Sequence, residues 1–194
     1  INSHFVIMAT KQGQVKKTAL EQYSRPRLNG INAITIREDD ELLEAKLTTG
    51  ESQVMLALRS GKAIRFEEGK TRPMGRSASG VRGITLANAK DEVVGMISVD
   101  NMDSDVLVVS ENGYGKRSSL EDYRITNRGG KGVKTISITK KTGDLVAIKN
   151  VSDEDDLMII NKSGIAIRMG VDDLRVMGRA TQGVRLINIK GGDA

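Results

Sequence analysis

Four apolar runs recur along the chain, each interrupted by polar residues and a glycine and then resumed with lysine or arginine inside it. They read FVIMATKQGQVKKT, QVMLALRSGKAIRF, VLVVSENGYGKRSS and LMIINKSGIAIRMG. Short continuous apolar runs rich in Val, Ile, Leu and Met predict strands buried on both faces. Ser60-Gly61, Asn112-Gly113 and Ser163-Gly164 supply the positive φ that a tight hairpin turn needs. The turn glycines Gly13, Gly61, Gly113 and Gly164 are spaced by 48, 52 and 51 residues. A second glycine follows each one, at Gly30, Gly80, Gly132 and Gly183, 17 residues on in the first copy and 19 in the others. The chain is therefore a tandem repeat.

After the second glycine the apolar pattern returns. Ile34, Ile84, Ile136 and Ile187 stand four residues beyond it, and Ile36, Leu86, Ile138 and Ile189 six beyond. A spacing of two puts these pairs on one face of a third strand. The stretches ELLEA, EVVGMISV and DLVAI supply a fourth strand in the first three copies, and the fourth copy ends before reaching one. Four strands in each repeat of roughly fifty residues predict an all-β, propeller-like fold with very little helix. The expected blades are residues 5–52, 53–103, 104–152 and 153–194 of a single repeat domain, the last incomplete or completed by an exchanged strand.

Charge sharpens this reading. The formal charge of +5 and a pI near 9.5 fit an anionic partner without requiring one. More telling is where the cations fall. Counted from the second glycine, Arg72, Arg124 and Arg175 lie eight residues before it, and Arg76, Arg128 and Arg179 four before. Arg82, Lys134 and Arg185 lie two after it. Lys17, Arg65, Arg117 and Arg168 stand four past the turn glycine, with Lys16 and Lys116 adjacent. The shorter first copy places Arg25 and Arg27 nearby. Acidic residues gather instead in REDDE and SDEDD, between strands or blades. Blades around an axis would join the basic positions into a curved rim, and duplex DNA offers about one phosphate per 1.7 Å of axis. Arginine's planar fork suits bidentate phosphate contact. The competing reading is a set of ordinary solvated loops.

The stretch RITNRGGKG, Arg124 to Gly132, is the densest of these sites. Gly129, Gly130 and Gly132 would let successive amides turn toward an anion, with Arg128 and Lys131 adding charge.

Repeats of this kind resemble the C-terminal domain of bacterial DNA gyrase A, through QVKKT, RPMGRSASGVRGI, NGYGKRSSLEDY and GRATQGVRLI. The likeness covers nearly the whole chain and implies a six-bladed β-pinwheel whose basic outer edge wraps duplex DNA. That family's signature box reads Q-[KR]-R-G-G-[KR]-G. Here Arg128 to Gly132 keep its second half, while Thr126 and Asn127 replace the leading Gln and basic residue. By repeat alignment the chain matches blades three to six of that family, which places the true box upstream. The resemblance implies a non-catalytic DNA-binding and DNA-bending part of an ATP-dependent type II topoisomerase. The partners would be a second gyrase A and two gyrase B proteins, with Mg and ATP used by the whole enzyme, ATP through gyrase B. The family's strand-breaking tyrosine lies in another region, and none of Tyr23, Tyr114 or Tyr123 stands in a matching context. Two alternatives stay open: the corresponding domain of the related topoisomerase IV, which lacks a conserved wrapping role, and a propeller that binds an acidic protein.

Other signals carry less. EEGKT at Glu67 to Thr71 lacks the upstream glycine of a nucleotide-binding loop, since Ile64 stands there. His4 is the single histidine, which excludes triads and histidine-rich metal sites. Five aromatic residues are too few for a base-stacking platform. The absence of cysteine, of a basic-then-apolar leader and of a long apolar run predicts a cytoplasmic setting without a membrane span. A start at Ile1 is expected of a piece of something longer. No cofactor or metal is expected for this stretch.

Overall fold

A computed structural model describes residues 3–189, and every regular element among them is a strand or a short 3-10 turn. The strands are β1 (Phe5–Thr10), β2 (Gln14–Ala19), β3 (Leu42–Thr48), β4 (Gln53–Leu58), β5 (Lys62–Glu67), β6 (Val81–Arg82) and β7 (Val93–Val99). They continue with β8 (Asp105–Ser110), β9 (Tyr114–Ser119), β10 (Val133–Lys134), β11 (Leu145–Val151), β12 (Asp156–Ile160), β13 (Ala166–Gly170) and β14 (Val184–Arg185). Three four-stranded antiparallel sheets run β3-β1-β2-β6, β7-β4-β5-β10 and β11-β8-β9-β14, and a fourth sheet contains β12-β13. No helix among the described residues is long and apolar enough to cross a membrane.

The strand that follows the second glycine departs from expectation. It is two residues long and pairs with the preceding repeat: Val81 opposes Val15, Val133 opposes Ala63, and Val184 opposes Gly115. Residues 34 and 36 lie in no strand at all. The physical reason lies in where the amides go. Those of Gly83 and Ile84 both donate to the carbonyl of Gly13, those of Thr135 and Ile136 to Gly61, and those of Leu186 and Ile187 to Gly113. Each hairpin turn thus draws the next repeat across and ends its strand. The stretches 5–52, 53–103 and 104–152 each enclose three strands of one sheet, and the fourth comes from the repeat that follows.

The core lies between neighbouring sheets. Ile7, Ala9 and Val15 of the first pack on Val54, Leu56, Leu58, Ile64 and Phe66 of the second. Met55, Ile97 and Val99 pack in turn on Val106, Val108, Leu145 and Ile148 of the third. A smaller cluster of Leu107, Val151 and Val171 joins the third sheet to the fourth. On β12 and β13 the apolar side chains of Met158, Ile160 and Ile167 are exposed. Strand β7 contacts both β3 and β11, so β6, β10 and β14 form the outer edges.

From the second repeat on, the second glycine is a point of close approach between repeats. Gly80 has φ +92, and a methyl group there would sit 2.4 Å from the Val15 carbonyl oxygen. Gly30 holds the matching conformation, φ +76, with nothing within 4 Å of that position. Alanine at Gly30 is therefore expected to cost about 1 kcal/mol, the left-handed penalty alone. Alanine at Gly80 is expected to cost about 3 kcal/mol, because backbone must also move. Denaturant titration of the two variants measures the difference, and equal losses would refute the close-approach account.

Candidate nucleic-acid interface

The outer edges carry cations because β6, β10 and β14 each end on one: Arg82, Lys134 and Arg185. The loop before each of these strands brings a second set. Arg72, Arg124 and Arg175 are exposed just after the 3-10 turns Glu68–Lys70, Leu120–Asp122 and Val171–Asp173. Together with Arg25, Arg27, Arg82, Lys131 and Lys134, their side chains have no hydrogen-bond or ion-pair partner among the described residues. Arg185 is exposed, but one guanidinium nitrogen donates to the Tyr114 hydroxyl at 3.0 Å. Arg168 is exposed and paired with Asp156.

Five predicted contacts are not on the surface. Lys16, Lys17, Arg65, Lys116 and Arg117 are between 0 and 8% exposed. They sit on β2, β5 and β9 and point at the next repeat, whose loop covers them. Arg65 donates to the carbonyls of Leu120 and Tyr123 at 3.0 and 2.9 Å, and Arg117 to that of Val171 at 3.1 Å. Lys17 pairs with the fully buried Glu68 at 3.3 Å and lies 4.2 Å from the Phe5 ring centre. A charge so enclosed needs partners within the protein, and these have them. They join repeats.

Arg76, Arg128 and Arg179 stand between the two groups. Each is half-buried and donates Nη1 to the carbonyl two residues past the preceding repeat's second glycine: Asn32 at 3.1 Å, Arg82 at 2.8 Å and Lys134 at 2.6 Å. They clamp neighbouring rim segments, and Nε of Arg128 and of Arg179 adds a second bond, to the carbonyls of Lys70 at 3.2 Å and Asp122 at 3.0 Å. The glycine-rich loop also divides by role. The Gly129 amide donates inward to the Gly83 carbonyl at 2.7 Å, contrary to the expected outward turn. A methyl group at Gly132 would meet the Ala63 carbonyl oxygen at 2.6 Å, so that glycine serves packing. Thr85 accounts for the carbonyls of Gly129 and Gly130, which turns the amides of Gly130 and Lys131 outward beside an open cleft of about 350 Å³ lined by Arg124, Asn127 and Lys131. Lys62 was missed by the sequence reading. It lies opposite Lys134 on the outer edge, a neighbour visible only once the exchange of β10 is known.

Burial lowers the pKa of Lys16 to about 8, helped by the charge of Arg76. Lys116 falls to about 8 through burial and then Arg179, with Asp122 opposing. Burial also pushes the Tyr123 hydroxyl up to about 12. In the unfolded chain both lysines return toward 10.5, so above pH 8 the unfolded state binds more protons and stability rises with pH. Near pH 10 Tyr123 begins to act in the opposite sense. Unfolding free energy is expected to climb between pH 8 and 10, and the climb to flatten in Lys16→Met/Lys116→Met. An identical slope in both proteins, read by denaturant titration, would remove these lysines as its source.

A family model described as "DNA gyrase C-terminal domain, beta-propeller" matches residues 4–49, 54–100, 104–152 and 155–194. DNA gyrase A of Staphylococcus aureus strain MRSA252 is 49% identical over 187 residues, 96% of this chain, and that of strain COL is equally similar. The chain spans 21% of the length of these relatives. Among solved structures, the C-terminal domain of DNA topoisomerase IV superposes with a TM-score of 0.90 at 23% identity, over 96% of this chain and 58% of that one. The DNA gyrase A C-terminal domain gives 0.88 at 23% identity, over 98% and 64%. The last two show a shared fold, and the matches to all four repeats show more: this chain belongs to the DNA gyrase C-terminal domain family.

Proposed function

We propose that this chain is a non-catalytic module that binds duplex DNA with little sequence preference and bends it along the outer edges of its sheets. The observation that carries the reading is the row of exposed, unpartnered cations at matching positions of successive repeats: Arg72, Arg124 and Arg175, joined by Arg82 and Lys134. A smooth bend of 40 to 90 degrees over 20 to 30 base pairs costs on the order of 1 to 6 kcal/mol, which many phosphate contacts offset. The 49% identity to a DNA gyrase A favours a place in that protein. There it would present DNA for strand passage, alongside a second gyrase A and two gyrase B proteins that use ATP and Mg to introduce negative supercoils in the bacterial cytoplasm. The topoisomerase IV domain shares the fold, which is common to a module that wraps DNA and one that only grips it.

The exposed and clamping arginines separate in experiment. Arg72→Glu/Arg124→Glu/Arg175→Glu is expected to abolish duplex binding at moderate salt and leave unfolding within about 0.5 kcal/mol of wild type. Reversing Arg76, Arg128 and Arg179 is expected to weaken binding and also to lower stability. With about eight phosphates neutralised, log affinity should fall against log salt with a slope near −7. A slope shallower than about −2 contradicts the rim. Ligation of nicked circular DNA with increasing protein, followed by linking-number analysis, tests wrapping: a progressive shift is expected. Bound circles with unshifted linking number would restrict the module to gripping DNA.

A further inference from the structure

The buried lysines alternate along the chain. Repeats one and three carry Lys16 and Lys116 three residues past the turn glycine, where repeats two and four have Ile64 and Ile167. Each lysine comes with a tyrosine seven residues on, Tyr23 or Tyr123, against Thr71 and Leu174 in the other two. Neither ammonium group has a carboxylate ligand among the described residues. Lys16 Nζ donates to the carbonyls of Ala33 and Arg76. Lys116 Nζ donates to those of Gly178 at 3.0 Å, Thr181 at 2.9 Å and Arg179, and to the Thr181 hydroxyl at 3.4 Å. These carbonyls belong to the rim turns, those of Arg76 and of Gly178 to Thr181 lying in the repeat that follows.

The direction of those carbonyls has a consequence for the amides. All peptide bonds described are trans, so a carbonyl aimed at the buried lysine forces the following N–H to point the opposite way, outward. The groups so turned are the amides of Ile34, Ser77, Arg179, Ala180 and Gln182, and none of them donates to any described residue. Beside the first turn lies an open cleft of about 590 Å³ lined by Arg27, Asn32, Arg76 and Ser77. Outward amides, consecutive at Arg179 and Ala180 and single at Ser77, with a positive charge behind them make an anion-binding edge. A buried cation without a counterion is costly, and a phosphate in front of it supplies the missing charge.

We propose that Lys16 and Lys116 organise two backbone phosphate subsites on the rim, at the turns around Ser77 and around Arg179 to Gln182. The inference rests on the DNA-binding reading above and adds main-chain contacts to it. The groups facing Lys16 are Arg76 and Tyr23, and those facing Lys116 are Arg179, Asp122 and Tyr123. Arg76 and Arg179 repel the ammonium groups, so a bound phosphodiester restores their protons.

Two readings on the wild-type chain test this without any substitution. Titration of a 40-base-pair duplex at pH 8, by calorimetry in buffers of different ionisation enthalpy, is expected to show uptake of about one proton per chain, half from each lysine. Nitrogen-15 spectra are expected to show the Ser77, Ala180 and Gln182 amides shifting with the same titration. In Lys16→Met/Lys116→Met the uptake should vanish while the exposed arginines still give weaker binding. Binding without proton uptake, with those amides unmoved, overturns the subsites and leaves the rim standing. Failure to bind the duplex at low salt overturns the rim and the subsites together.

Discussion

One carbonyl group in each of the first three repeats has two amides to serve, and the architecture follows from it. The oxygen of the turn glycine accepts from two consecutive residues of the next repeat, at Gly13, Gly61 and Gly113 alike. Those bonds fix where the following segment crosses, and a two-residue strand then completes the earlier sheet. A three-stranded blade alone would leave the outer row of peptide groups on β2, β5 or β9 open to pairing with any passing strand. Exchange closes that row with the neighbour's own chain. Backbone bonds from Met74, Thr126 and Met177 to the carbonyls of Lys17, Arg65 and Arg117 reinforce the crossing from the strand side. Each repeat is therefore stable chiefly through its neighbours, the regime of linear repeat proteins.

Cations meet this constraint in two ways. On the strands that receive the crossing segment, a long side chain ending in several donors can satisfy the carbonyls of a turn that no strand pairing reaches. Arg65 and Arg117 do this with a planar fork, and Lys16 and Lys116 with a point charge. On the crossing segment itself, the residues beside the outer strand have water on one side and few partners on the other. Arginine there stays available. One residue type thus serves two purposes a few ångströms apart, and burial separates them.

The strands, hairpins and basic periodicity could be read from the residues because they depend on near neighbours. Residues 53–58 and 62–67 form β4 and β5 around a Ser-Gly turn for reasons contained in those residues alone. The exchange could not be read. A segment that pairs within its own repeat and one that pairs with the previous repeat show the same period, since every copy shifts alike. Burial of Lys17, Arg65 and Arg117 was hidden for the same reason: the partners that cover them lie some fifty residues away. One local clue existed. The residue 12 positions earlier is Phe5, Gln53, Asp105 or Asp156, and each contacts its cation across the hairpin. A cation with a partner at constant separation in every copy belongs to the scaffold. The free ones, such as Arg72 and Arg124, show no such companion.

The exchanged strands also decide how the molecule carries load. A stiff, bent polymer held on the outer edges would pull outward on Arg82 and Lys134. In a contiguous blade that pull would peel the last strand from its sheet, one hydrogen bond at a time. Here the loaded strand belongs to the next repeat, whose own sheet anchors the chain on both sides through β5 and β7 or β9 and β11. Tension on one edge is shared between two sheets, and the bonds at Gly13 and Gly61 take it together. The outer edge works as a laced belt, tightening the joints between blades as it is pulled.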